Sequence, residues 1–141
     1  NGIIKKTALT EYARVLAKGK KAIIIRDGDA LVGVELTDGD CEILMANRNG
    51  RAIRFHESKL RTMGRVSTGV RGMRLDDDGM DQVVGLITMP RDTENSVLVL
   101  SDEGFGKRSP LDAYRLTNRG AKGVKTMNIT DKTGVVTGSY S

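Results

Sequence analysis

The feature that most constrains this chain is an internal repeat of about fifty residues. The run Asn49-Gly50-Arg51-Ala52-Ile53-Arg54 echoes Asn1-Gly2-Ile3-Ile4-Lys5-Lys6, and Glu103-Gly104-Phe105-Gly106-Lys107-Arg108 is a third copy. Four residues after Gly2, Gly50 and Gly104 stand Lys6, Arg54 and Arg108. A second landmark reads Gly19-Lys20-Lys21-Ala22-Ile23, Gly69-Val70-Arg71-Gly72-Met73 and Gly120-Ala121-Lys122-Gly123-Val124, which places Lys21, Arg71 and Lys122 at one repeat position. A third is an aliphatic strand carrying a glycine: Leu31-Val32-Gly33, Val83-Val84-Gly85 and Val136-Thr137-Gly138. A fourth, Glu42-Ile43-Leu44-Met45 and Ser96-Val97-Leu98-Val99, closes the first two copies. These landmarks divide the chain into repeats at about 1–48, 49–102 and 103–141. Units of this size bury their apolar faces by stacking on one another, so the expected product is an array.

Charge follows the same period. Residues 1–26 hold seven bases and one acid, and residues 27–46 hold six acids and no base. Residues 47–75 then hold eight bases and one acid, residues 76–103 eight acids and one base, and residues 104–126 six bases and one acid. A single charged run is ordinarily a solvated face. Three basic runs in phase with a structural repeat would instead line one surface of a stack, the footprint of a polyanion binder.

The apolar segments are short, β-branched and bounded by turn residues, which predicts strands near residues 2–6, 21–26, 31–36, 42–46, 51–55, 70–75, 82–88, 96–101, 104–108, 124–129 and 135–139. Asp27-Gly28-Asp29, Asp38-Gly39-Asp40 and Asn49-Gly50 are turn signals. Residues 7–12, 57–60 and 109–114 each suit a single helical turn, and none suits a packing helix. The fold class expected is all-β, with about four strands per repeat forming propeller-like blades. Three blades cannot close a ring, so an open arc is expected, or completion by another chain. The abrupt start at Asn1 reads as a piece cut from a longer chain.

The side chains that carry chemistry are sparse. Trp is absent and the core must be aliphatic, with the Met residues as fillers. Cys41 is the only cysteine and His56 the only histidine, so neither a disulfide nor a Cys/His zinc site is expected, and a reducing cytoplasm is the natural setting. No apolar run approaches membrane-spanning length. Ser109 stands where a dinucleotide fingerprint beginning at Gly104 needs its third glycine. Arg108 interrupts the order of a phosphate-binding loop. Asp76-Asp77-Asp78-Gly79 has its glycine too early for a calcium loop and Ile87 where the bidentate Glu belongs. His56 has only sequence neighbours, not a triad. Tyr12 and Tyr114 recur at matching positions, which suits packing at blade corners. Neither catalysis nor a cofactor is expected of this segment.

Several runs resemble the C-terminal domains of bacterial DNA gyrase A subunits. They are Gly2 with Lys6 and Leu9, Asp29-Ala30-Leu31-Val32-Gly33-Val34-Glu35-Leu36-Thr37-Asp38-Gly39, Arg51-Ala52-Ile53-Arg54-Phe55 and Gly104-Phe105-Gly106-Lys107-Arg108-Ser109-Pro110. The most specific is Met63-Gly64-Arg65-Val66-Ser67-Thr68-Gly69-Val70-Arg71-Gly72. The resemblance implies a β-pinwheel, a propeller-like array in which neighbouring blades exchange strands, normally of about six blades. It also implies that the segment binds and wraps duplex DNA for an ATP-dependent type II topoisomerase, with the rest of gyrase A and gyrase B as partners in a cytoplasmic, nucleoid-associated enzyme. The family's basic box, Gln-Arg-Arg-Gly-Gly-Lys-Gly in the first blade, has its nearest match in Asn118-Arg119-Gly120-Ala121-Lys122-Gly123.

Candidate DNA contacts follow from the repeat. Lys6, Arg54 and Arg108 form one row, and Lys21, Arg71, Arg119 and Lys122 a second. Arg65 and Lys107, inside the runs quoted above, complete the set. Gly120 and Gly123 would let backbone approach a phosphate that Arg119 and Lys122 neutralise. Two other readings share the basic rim: the related C-terminal domain of topoisomerase IV, and a scaffold propeller that binds an acidic protein.

Overall fold

The computed structural model describes residues 1–140, which contain no α-helix. Ten strands run in chain order: β1 (Ile3–Ile4), β2 (Cys41–Asn47), β3 (Arg51–His56), β4 (Val70–Arg71), β5 (Val83–Pro90), β6 (Ser96–Ser101), β7 (Gly106–Pro110), β8 (Leu116–Thr117), β9 (Val124–Lys125) and β10 (Val136–Tyr140). Three short 3-10 turns, Leu9–Tyr12, Glu57–Lys59 and Leu111–Ala113, fall inside the three segments expected to turn.

The repeats superpose in their pairing. β2 and β3 form an antiparallel hairpin with Leu44 opposite Arg54, and β6 and β7 form its counterpart with Leu98 opposite Arg108. Each hairpin turns through a glycine of positive φ whose N–H returns to the last residue of the strand before it, Gly50 to Asn47 and Gly104 to Ser101. β5 then lies antiparallel on β2, and β10 on β6. Both pairings carry a bulge at the same place, between Ala46 and Asn47 opposite Gly85 and Val83, and between Leu100 and Ser101 opposite Gly138 and Val136. Bulges of this kind re-aim a strand at a defined point, so their recurrence is part of the repeat.

Neighbouring repeats exchange strands. The free edge of β3 pairs with β8 in parallel and β9 in antiparallel fashion, both from the following repeat. β1 makes the same exchange with β4, and Lys6 bridges Thr62 in parallel. This is the strand exchange that a pinwheel requires.

Packing explains why Ile43-Leu44-Met45-Ala46 is a continuous apolar run instead of an alternating one. Ile43 and Met45 join Ile53, Phe55, Leu60 and Met73 on one face of the sheet. Leu44 and Ala46 join Ile87, Met89, Val97 and Val99 on the other. A sheet covered on both faces needs apolar residues at successive positions. Burying each of the larger side chains, such as Phe55 or Leu44, contributes about 1.5–3 kcal/mol. Among the described residues the β6–β7–β10 sheet is covered on one face, where Val97, Val99 and Val136 are buried, while Leu98 and Tyr140 are exposed on the other.

Several expectations differ from the structure. Residues 21–26 and 31–36 form no strand. In the other repeats the corresponding strands pair with a strand of the repeat before, β4 with β1, β5 with β2 and β10 with β6, and residues 21–26 and 31–36 have no such strand partner among the described residues. Val32, Val34 and Leu36 are accordingly exposed. The strands expected at 2–6, 70–75 and 124–129 are confined to Ile3–Ile4, Val70–Arg71 and Val124–Lys125, and that expected at 104–108 is shifted to Gly106–Pro110. Met80 is exposed on the acidic turn and fills no core, unlike Met45, Met73, Met89 and Met127.

A further difference is one of register. Ile3 and Ile4 pair with Arg71 and Val70, whereas Arg51 and Ala52 pair with Lys125 and Val124. The counterpart of Gly69-Val70-Arg71-Gly72-Met73 is therefore Gly123-Val124-Lys125-Thr126-Met127, three residues beyond the alignment read from sequence. Glycine contacts confirm the shift. A Cβ on Gly69 would stand 2.5 Å from the carbonyl oxygen of Ile4, and one on Gly123 would stand 2.2 Å from that of Ala52. Likewise a Cβ on Gly2 would meet the Met73 carbonyl at 2.3 Å, and one on Gly50 the Met127 carbonyl at 2.4 Å.

Candidate nucleic-acid interface

The first row of candidate contacts is occupied inside the protein. The Lys6 ammonium donates to the Glu57 carbonyl at 3.1 Å and lies 3.5 Å from the Glu57 carboxylate. Arg54 donates from Nε to Glu42 at 2.6 Å, and from Nη1 to the carbonyls of Leu111 and Tyr114 at 3.1 and 3.0 Å. Glu57 and Glu42 are both buried. Lys6 and Arg54 thus do the same job one repeat apart: Lys6, just after β1, and Arg54, on β3, each reach to the 3-10 turn of the next repeat and bind its leading carbonyl. Arg108 occupies the equivalent position on β7 and is exposed, and its side chain makes no hydrogen bond or ion pair among the described residues. Lys107 beside it is also exposed and donates to the Thr126 carbonyl at 3.2 Å.

Glu57 is the polar anchor of this region. Burial opposes its ionisation, but the N–H of Cys41, the Thr37 hydroxyl, the Lys6 charge and the N–H of Gly39 outweigh burial and hold its carboxyl below the usual carboxylate range. Asp38 and Cys41 lie close by, yet the oxygens of Glu57 are already committed to Thr37, Gly39 and Cys41. The cluster fastens the turn that leads into β2. His56 bonds Ser58 and Asp40 and is likewise structural. Tyr114 is buried with its hydroxyl on Thr126, as corner packing requires.

The second row divides. Lys21 and Arg71 are exposed, and among the described residues their side chains make no hydrogen bond or ion pair. Lys125, which the structure places at the same repeat position, is exposed and equally free among them. Sequence reasoning missed it, although the shared Gly-Val-base-x-Met pattern of residues 69–73 and 123–127 was available to find it. Lys122 pairs instead with Asp76 at 2.7 Å, and its hydrogen bond is the largest of the influences that lower the carboxyl pKa of Asp76. Arg65 and Arg119 each donate to a backbone carbonyl of the preceding repeat, Arg65 to Lys21 at 2.8 Å and Arg119 to Arg71 at 3.0 Å. Gly123 faces protein backbone rather than an open surface, so close approach to a phosphate is not its reason for being glycine. A further recurrent pair went unnoticed in the sequence: Arg61 and Arg115, each directly preceding the residue that bonds to the previous repeat, are both exposed.

The array therefore presents one exposed base per repeat at Lys21, Arg71 and Lys125, with Arg61 and Arg115 as a second recurrence. Side chains in such positions can neutralise phosphates at regular intervals, and they carry no arrangement that distinguishes one base pair from another.

Comparison with known proteins agrees with this architecture. The family model "DNA gyrase C-terminal domain, beta-propeller" matches residues 1–38, 42–88 and 95–139. The chain belongs to this family. It is 44% identical over 135 residues to the DNA gyrase A protein of Staphylococcus aureus strain MRSA252, and equally so to that of strain N315. The match takes in 96% of this chain but 15% of each relative's length. Among solved structures, the C-terminal domain of DNA topoisomerase IV superposes with a TM-score of 0.90 at 27% identity, over 99% of this chain and 43% of that one. The DNA gyrase A C-terminal domain does so with a TM-score of 0.82 at 25% identity, over 96% of this chain and 44% of that one. No helix among the described residues is long and apolar enough to cross a membrane.

Proposed function

We propose that this chain is a non-catalytic module that binds duplex DNA through its phosphates and bends or wraps it for a type II topoisomerase of the gyrase kind. The observation that carries the reading is the recurrence, at one position of a strand-exchanged array, of an exposed base whose side chain has no partner among the described residues: Lys21, Arg71 and Lys125. Arg61, Arg115 and the exposed pair Lys107 and Arg108 extend the set. Lys6 and Arg54 serve it indirectly, by holding the repeats together. In the parent enzyme the partners would be gyrase B and the remainder of gyrase A, in the bacterial cytoplasm at the nucleoid. We assign the repeats as about 1–48, 49–102 and 103–141.

Gyrase is favoured over topoisomerase IV by the family model and by the 44% identity to gyrase A proteins. The test is an electrophoretic mobility shift on short and long duplexes across a salt series. For four to eight neutralised phosphates, the slope of log K against log[salt] should be roughly −4 to −7. Replacing Lys21, Arg71 and Lys125 together by Ala should make the slope shallower by up to about three while leaving the fold intact. A scaffold for an acidic protein would show neither the length dependence nor that response.

A further inference from the structure

The deepest regularity at the interface lies in two arginines, Arg65 half-buried and Arg119 exposed, whose guanidinium groups fold back onto protein carbonyls. Arg65 and Arg119 are a repeat apart, and each donates Nη1 to the carbonyl of the residue that carries an exposed base in the preceding repeat, Lys21 or Arg71. Backbone bonds flank both contacts in the same way. The N–H of Ile24 donates to the Ser67 carbonyl at 3.0 Å, and that of Arg74 to the Ala121 carbonyl at 2.9 Å. Gly120 adds a bond to the Gly72 carbonyl at 2.7 Å. Arg119 also donates Nε to the Lys59 carbonyl at 3.1 Å, so one guanidinium ties together both ends of the 59–71 segment. That segment contains Arg61 and ends at Arg71.

We propose that Arg65 and Arg119 are positioning residues that clasp each DNA-facing segment to the next repeat, setting the spacing of the exposed bases along the duplex, and that they are not themselves phosphate contacts. The inference rests on the DNA-binding reading above. Its physical basis is the guanidinium fork, planar and with donors at fixed angles, which can hold two carbonyls at once. An ammonium preserves the charge but is a point donor on a flexible stem. A residue that acts through charge would therefore tolerate lysine, and a residue that acts through its fork would not. Spacing matters because phosphates recur at fixed intervals, and a bend in a short duplex needs several contacts made in register.

The experiment compares the chain with its Arg119→Lys variant and with the Arg65→Lys, Arg119→Lys double variant, using this chain throughout. Amide hydrogen exchange without DNA reads the clasp directly. The amide of Arg74 should exchange roughly fivefold faster in Arg119→Lys, and that of Ile24 should do so only in the double variant, the factor that loss of about one net hydrogen bond supports. With a duplex labelled at both ends for energy transfer, the bend should be largely lost in the double variant while the salt slope stays unchanged. Unaltered exchange, or a lysine variant that bends DNA as fully as the parent chain, overturns the proposal. A salt slope that stays with lysine but falls by about one with Arg119→Gln, the bend being kept, would make Arg119 a phosphate contact and also overturns it. If the unsubstituted chain binds no duplex, the DNA-binding reading fails, and the exchange data still decide whether the clasp exists. Should the double variant fail to fold, the single variant carries the same exchange and bending readouts.

Discussion

Replacing Arg54 by methionine should destabilise this protein more than any substitution of an exposed base, although all of these bases look alike in the sequence. The guanidinium of Arg54 is one half of an ion pair with Glu42, and the two side chains are only 14% and 4% exposed. Removing one partner of a buried pair costs about 3–5 kcal/mol, because the remaining carboxylate stays desolvated and uncompensated. The carbonyls of Leu111 and Tyr114 lose a donor as well. Where water cannot replace it, each such loss adds about 1–3 kcal/mol. Partial exposure and relaxation work against simple addition, so about 3–5 kcal/mol is the expected total. Against a typical stability of roughly 5–15 kcal/mol, that is a third or more of the whole. Exposed Lys21 changed to methionine should stay within about 0.5 kcal/mol. Urea unfolding followed by circular dichroism measures both. A large drop in the midpoint for Arg54→Met with little change for Lys21→Met is expected. If Arg54→Met falls within about 1 kcal/mol of the parent chain, the buried-pair reasoning is refuted. Arg54→Met, Glu42→Leu should recover much of the loss, because burying neither charge avoids the desolvation altogether.

Gly123→Ala should be strongly destabilising, since its Cβ would stand 2.2 Å from the Ala52 carbonyl oxygen at a φ of +78°. Gly79→Ala, at a φ of +73° with open space around it, should cost only the left-handed conformation, about 1–2 kcal/mol, and equal losses at the two sites by thermal unfolding would contradict the contact. Glu57 has a folded-state pKa below its ordinary value of 4.5, so its contribution is complete above that pH and lost as pH falls through the depressed folded value. The acid limb of a stability-against-pH curve should therefore be shallower in Glu57→Gln, and an unchanged slope would show that the carboxylate is not the linked group. For the exposed bases, Lys21→Ala, Arg71→Ala and Lys125→Ala should each weaken DNA binding mildly and together severely. A triple variant that folds and binds as tightly as the parent at each salt concentration would remove them from the interface.

The amino-acid sequence by itself determined the repeat, the phase of its charge, the all-β class and the places where the chain turns. These are local properties. Asn49-Gly50 marks a hairpin because glycine reaches positive φ without strain, and Glu42-Ile43-Leu44-Met45 marks a strand because a short apolar run lies between turn residues. The 3-10 turns at Leu9, Glu57 and Leu111 were likewise foreseeable from spacing. Tertiary structure alone decided which bases are free. Lys6, Arg54, Lys21 and Arg71 are equivalent as letters, but the first two lie beside buried carboxylates brought from elsewhere in the fold, Glu57 of a 3-10 turn and Glu42 of β2, and among the described residues the last two have no such partner. The choice of Gly123 over Gly120 as the counterpart of Gly69 was legible in the shared Gly-Val-base-x-Met pattern, and the carbonyl of Ala52, contributed by a strand seventy-one residues earlier, supplies its physical reason. Strands 21–26 and 31–36 failed to appear for the same reason: a strand requires a hydrogen-bonded partner as well as suitable residues, and in an exchanged array that partner belongs to another repeat.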